Sequence, residues 1–299
     1  EIDVLHIVRQ CSKNPGHTRY IPTTSFSETD LPEDHRDYDV YQLIRATSDL
    51  TVRVVATHVS SQRIKHVPNT TLEYPFYNKR GHKLTRMGSG QITVFKYTDG
   101  HGSNYDVFTE VKRETQHKTC PCETCRHSDI PSNVWWEIFV HTAAHVVFDE
   151  NEASHVTCRL FYDKDDTPLV TLDKLVIDSV DLERDLSVLL YVTCDAALGD
   201  RLHKMMKHYS ALWKKVCDKY RNISKLVYIV SHPHGCTKQV SLGQLIDNKK
   251  VREYNEEVDL TELTYTAATC PGCAGAAVHC IGLKHQHFHT GTLDSLFNC

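Results

Sequence analysis

Three thiols and an imidazole crowd into eight residues, Cys120-Pro121-Cys122-Glu123-Thr124-Cys125-Arg126-His127. Thiolate sulfur and imidazole nitrogen at this density are the donor set of tetrahedral Zn²⁺ in closed, structural sites. Cysteines spaced this closely pair poorly with one another, so the cluster favours metal over disulfides. The spacing predicts a structural zinc on Cys120, Cys122, Cys125 and His127, with His117 as a replacement ligand because four ligands in so short a loop are cramped. The ion would tie down a polar loop, 117–128, that has little core of its own. His285, His287 and His289, alternating along one stretch, are a second candidate for metal.

Acid–base residues lie in three further segments: Thr142-Ala143-Ala144-His145, Asp185-Leu186-Ser187-Val188-Leu189 and Pro271-Gly272-Cys273-Ala274-Gly275-Ala276. Their order and local sequence resemble those of trypsin-like (chymotrypsin-fold) proteases. Gly88-Ser89-Gly90-Gln91-Ile92 resembles the strand that opens the first barrel in the high-temperature-requirement and related intracellular members. Val230-Ser231-His232-Pro233-His234-Gly235, followed by Val240-Ser241-Leu242-Gly243, resembles the strand and turn of their second barrel.

The resemblance implies roles. His145 would be the general base and Asp185 the carboxylate that fixes its tautomer and steadies the imidazolium, with Asp181 a nearby competitor. The N–H groups of Gly272 and Ala274 would form the oxyanion hole. Ala274 stands where the family has its nucleophilic serine, and a methyl group has no lone pair to attack with. Cys273 is out of register for that part, because Pro271 would then fall where the motif needs glycine. Two readings stay open. In one, the chain is a serine endopeptidase, a hydrolase, in an inactive Ser-to-Ala form; in the other, alanine is native and a pseudoprotease binds peptides or proteins without cutting them. Thr269 and His289 occupy places where viral chymotrypsin-like proteases that cut after Gln carry a Thr and a His. An imidazole N–H and a hydroxyl suit an amide or carboxylate oxygen. Ala268 stands near the place where a trypsin-type pocket needs an Asp, so the expected cut is after Gln or Glu.

The scaffold that must position these groups is expected to be mostly β: two six-stranded antiparallel β-barrels, one inserted long amphipathic helix and the zinc-bound loop. Leu50–Val59 alternates with β-branched residues and reads as a strand, and Val67–His82 reads as an ordered loop. Trp135–Val147, Val156–Tyr162, Leu169–Ile177 and Ser187–Thr193 read as barrel strands, and Ile2–Val8 as a short one. Over 196–221, Leu198, Leu202, Met205, Tyr209, Leu212, Val216 and Tyr220 recur at helical spacing, predicting one helix that crosses between the barrels. The expected division is an extension over 1–85, packed on or contributing to the first barrel, and a protease domain over 86–299.

Composition bounds the partners. The net charge of −4 with 24% charged residues gives no basic footprint for nucleic acid, and no apolar run approaches a membrane span. A peptide or protein substrate is the remaining expectation. Cys158, Cys194 and Cys280 sit in apolar runs where thiols act as small core residues, which points to a reducing, intracellular and cytoplasmic setting. Glu1 without an initiator Met reads as the start of a trimmed or processed piece, with other domains of a larger parent protein in view.

Overall fold

The computed structural model describes residues 11–105, 110–253, 259–283 and 287–291. The strand expected at Ile2–Val8 and the candidate ligand His285 lie outside them. In chain order the strands are β1 (Tyr20–Pro22), β2 (Thr51–His58), β3 (Lys83–Thr98), β4 (His101–Tyr105), β5 (Glu110–Glu114), β6 (Val134–Ala143), β7 (Val156–Leu160) and β8 (Val170–Leu172). They continue with β9 (Val176–Asp181), β10 (Leu186–Thr193), β11 (Leu226–Ser231), β12 (Gln239–Glu253), β13 (Asp259–Tyr265), β14 (Ala277–Cys280) and β15 (His287–Phe288). Among the described residues four α-helices join them: α1 (Tyr38–Leu50), the single turns α2 (Glu123–Arg126) and α3 (Glu150–Ala153), and α4 (Ala196–Tyr220).

The strands form two antiparallel sheets. The first has nine strands in the order β8-β7-β2-β3-β6-β10-β9, with the β4–β5 hairpin added to β3; the second has six, β1-β12-β11-β14-β15, with β13 on β12. The second therefore has the expected number and the first has three more. Part of the excess comes from the length of β3, which runs past the sheet and turns at Asp99-Gly100. Both turn residues have positive φ (50° and 86°), the backbone that a two-residue Asp-Gly hairpin requires. Among the described residues, β8 and β9, the two ends of the first sheet's path, are not paired with each other. The division expected at 85/86 falls inside β3, and β2, well before it, is a central strand of the first sheet.

Helix α4 starts where the Asp195 carboxylate accepts the N–H groups of Ala197 and Leu198, which capping requires. Its apolar stripe enters two cores, as a crossing helix should. Leu202 packs with Val94, Trp136 and Ile138 under the first sheet, while Met206, Tyr209, Trp213 and Val216 pack with Tyr228 and Val230 of the second. Helix α1 was not legible as a helix in the sequence reading, although Val40, Leu43, Ile44, Thr47 and Leu50 keep helical spacing and are buried. It shares the second core with α4. Among the described residues no helix is long and apolar enough to cross a membrane.

Candidate active site and metal centre

The register of the first sheet brings His145 to Asp185. Strands β6 and β10 pair with Ala143 opposite Leu186, so His145, two residues beyond β6, and Asp185, the residue just before β10, meet at one end of the sheet. The Asp185 carboxylate then holds His145 twice. Oδ1 accepts the backbone N–H of His145 at 2.8 Å, and Oδ2 lies 2.7 Å from ring Nδ1. Asp185 reaches this pose with φ at +50°, a left-handed conformation that Asp tolerates better than most side chains. Both residues are buried. An Nδ1–H donated to a carboxylate leaves Nε2 as the basic nitrogen, so the pair can accept a proton there. Asp181 does something else: its Oδ1 accepts the N–H groups of Glu183 and Arg184 in the turn before β10.

Beneath this pair lies a buried ionic network that sequence reading did not find. Glu152 is fully buried between Arg63 (Nε–Oε1 2.6 Å) and Arg86 (Nη2–Oε2 2.7 Å), and it also accepts the N–H groups of Ser60 and Phe148. Burial works to raise the Glu152 carboxyl, but hydrogen bonds and charge from Arg63, with the Arg86 charge, hold it below 4.5. Burial also lowers the Arg86 guanidinium to about 10. The network reaches the site through its spare donors. Arg63 Nη2 donates to the carbonyl of His145 at 3.0 Å, and Arg86 Nη2 to that of Val146 at 3.2 Å. The one available signal was Asp149-x-x-Glu152, a capping pattern ahead of α3.

The loop carrying Ala274 arrives from the second sheet and is stitched to the first by Ser89. Ser89 N–H donates to the Ala274 carbonyl at 2.8 Å, and Ser89 Oγ donates to the Gly272 carbonyl at 2.8 Å while accepting His232 N–H at 2.9 Å. A Cβ on Gly88 would meet both Val146 Cγ1 (2.8 Å) and Ala274 O (3.1 Å), so Ala274 lies against the residue that follows His145. Gly272 has φ +93°, and a Cβ there would fall 2.5 Å from the His232 carbonyl and 2.8 Å from the His234 nitrogen. Only glycine fits. Among the described residues the N–H groups of Gly272 and Ala274 make no hydrogen bond within the chain, which leaves them available to an oxyanion. Cys273 is wholly buried, with Sγ 3.2 Å from Ser231 Oγ and 3.6 Å from Tyr20 Oη.

His289 follows β15, and its backbone bonds Gly275 and Ala276, which places it beside the Ala274 loop. Its Nδ1 lies 2.7 Å from the hydroxyl of Tyr265, a partner the sequence gave no reason to name. Thr269 is buried and its carbonyl accepts from Asn14 Nδ2 at 2.8 Å. Ala268 is buried in a small cluster with Tyr20 and Cys270. His287 bonds Thr261 through Nε2 at 2.8 Å.

The cysteine loop holds together with one substitution. The ligand atoms of Cys120, Cys122, Cys125 and Cys194 all lie within 4.8 Å of one another; His127 is not in this group. His127 follows the single turn α2 and is exposed, so the loop presents its three sulfurs inward and turns the imidazole out. The fourth donor instead comes from the residue after β10, which the sequence reading had assigned to the core. Four sulfurs fit Zn²⁺ well. Tetrahedral Zn–S bonds of about 2.3 Å put sulfurs about 3.8 Å apart, and Cys122 and Cys194 are separated by 3.8 Å.

No family model matches this chain, and no curated protein matches it. Among solved structures it is similar to the Rv3671c protease in its inactive form, at 12% identity over 81% of this chain and 78% of that one, with a TM-score of 0.34. It is also similar to the HtrA-type protease AlgW in a Ser-to-Ala variant with a decapeptide, at 13% identity and a TM-score of 0.38. That match covers 81% of this chain and about half, 54%, of the other.

Proposed function

We propose that the chain is a chymotrypsin-fold serine endopeptidase in an inactive form, with His145 as general base, Asp185 as its orienter and Ala274 in the nucleophile's place. The two-point hold of Asp185 on His145 carries this reading, because a carboxylate that binds both the ring and the backbone of one histidine fixes its tautomer and its direction together. The Gly272 and Ala274 N–H groups are the proposed oxyanion donors. The sheets act as two barrels, with 86–299 as the main protease unit and 1–85 as an extension that packs on it and contributes β1 and β2 to the sheets. A peptide or protein chain in a reducing, cytoplasmic compartment is the proposed substrate. Thr269 and His289 line the pocket for the side chain before the cut bond. A Tyr265 hydroxyl that donates to His289 Nδ1 leaves the proton on Nε2, which then donates to the oxygen of Gln or Glu. The Cys120, Cys122, Cys125 and Cys194 thiolates hold a structural zinc that closes the loop against β10.

Ala274→Ser tests the reading. The variant is expected to cut a peptide library after Gln or Glu, and His289→Ala in that background to lose the preference. A folded Ala274→Ser protein that cuts nothing would instead favour a pseudoprotease, and cuts dominated by Arg, Lys or large apolar residues would remove the pocket assignment.

A further inference from the structure

The segment Cys11–Tyr20 lies across the loop that leads to Ala274. Asn14 Nδ2 donates to the Thr269 carbonyl, Arg19 to the Thr266 carbonyl, and β1 pairs with β12. At this crossing four metal-type donors converge from distant parts of the chain. The ligand atoms of Cys11, His17, His234 and Cys270 all lie within 4.8 Å of one another.

The distances fit one ion. Cys11 Sγ and Cys270 Sγ are 3.5 Å apart, and Cys270 Sγ is 3.7 Å from His17 Nε2. Tetrahedral zinc, with Zn–S about 2.3 Å and Zn–N about 2.0–2.1 Å, sets these separations at about 3.8 and about 3.6 Å. A disulfide would need the sulfurs at about 2.05 Å. The two imidazoles stack with centroids 5.0 Å apart. His234 Nε2 is buried with no hydrogen-bond partner among the described residues, an orphaned nitrogen that calls for a partner of another kind. Both histidines sit at φ +52°, a left-handed backbone that is unfavourable for a residue with a side chain, and the ligand atoms of both lie within 4.8 Å of the same thiols. Asn14 Nδ2, 3.1 Å from Cys270 Sγ, is placed to donate to a thiolate; such supports orient metal ligands.

We infer that Cys11, His17, His234 and Cys270 form a second metal site, a closed Cys₂His₂ centre of the structural zinc class. It does not rest on the peptidase reading. Its ligands belong to three separate segments, with Cys11 and Cys270 259 positions apart, so no local motif announces it. Bound there, the ion fastens the Cys11–Tyr20 segment to both walls of the Ala274 loop, since His234 N–H also donates to the Pro271 carbonyl.

Zinc per chain, read by mass spectrometry on the untagged full chain, tests the site. Cys11→Ser and His17→Ala are each expected to remove about one zinc per chain, whether or not Cys194→Ser removes another. His17→Cys, which keeps a ligand, is expected to retain the ion. Cobalt reconstitution of Cys194→Ser should give tetrahedral visible bands with the charge-transfer intensity of two thiolates, and Cys11→Ser added to it should abolish them. An unchanged zinc count in Cys11→Ser and His17→Ala overturns the site. So does a Cys11–Cys270 disulfide in natively purified protein. Should a variant fail to fold, wild-type protein decides: Cys11 and Cys270 alkylated at the rate of free thiols, with and without chelator, also overturns it.

Discussion

The half of the site that carries His145 and the half that carries Ala274 are fixed by different means. On the first sheet a carboxylate clamps the histidine, and a buried Arg63–Glu152–Arg86 network grips the carbonyls of His145 and Val146 from below. Charge does the positioning there, and it is strong because the dielectric is low. On the second sheet the loop around Ala274 has no ion pair among the described residues. It is shaped by a glycine that admits close backbone approach, by Ser89, and by the thiols and imidazoles of Cys11, His17, His234 and Cys270, whose ligand atoms lie within 4.8 Å of one another. A buried network fails when one member is removed, whereas a closely packed loop fails when something is added.

Four variants would sharpen or break that contrast. The largest effect belongs to the clamp. In the Ala274→Ser background, His145→Ala or Asp185→Ala is expected to cut turnover by about 10⁴–10⁶-fold, read by steady-state kinetics. Next, Glu152→Gln strands two buried guanidinium groups and should cost about 3–5 kcal/mol in denaturant unfolding. Gly272→Ala should cost about 1–3 kcal/mol, because a left-handed residue acquires a Cβ with no space. If Gly272→Ala were harmless while its neighbours stayed in place, the account of the loop would fail.

Acid distinguishes further groups. His279, enclosed by Tyr209, Trp213 and Tyr228, is pushed by burial to about 3 from 6.5. Its folded pKa is depressed, so its contribution to stability is complete above pH 6.5 and is lost as pH falls toward about 3. Glu152 contributes nothing to this slope until pH falls to its unfolded value of 4.5. His279→Phe should flatten the stability-versus-pH curve below 6.5 by up to about 1.4 kcal/mol per pH unit. An unchanged slope would mean that the imidazole is solvated or charged in the folded chain. The smallest effect is expected from Tyr265→Phe, which removes one hydrogen bond to His289. It should weaken the preference for Gln or Glu by about tenfold or less in the reverted enzyme.

What the sequence revealed follows from how far apart the cooperating residues lie. Helix α4 and the strand at β2 were readable because their signals are periodic over neighbouring residues. Asp185 could be paired with His145 because a resemblance supplied the pairing, and the sheet then placed the two at adjoining strand ends. Cys194 could not be found by spacing, because it reaches the cysteine loop only through the pairing of β10 with β6. His127 is nearer in the chain, but it is exposed and lies outside the group of ligand atoms, so proximity in sequence misleads there. Tyr265, Arg63 and Glu152 were missed for the same reason: single polar residues acquire meaning only when tertiary contacts bury them. Helix α1 is a different case, since Val40, Leu43, Ile44, Thr47 and Leu50 do keep helical spacing in the sequence.

Ser89 sits on a central strand of one sheet, yet three of its hydrogen bonds go to the segment of the other that spans His232 and Ala274. Thr142 Oγ1 closes the remaining valence by donating to its carbonyl at 2.8 Å. A residue wired in this way gives neither sheet a private route to unfolding, because opening one strips the partners from the other. The molecule should therefore lose its two sheets in one cooperative step, with the amide protons of β3 and β11 released to solvent at the same free energy.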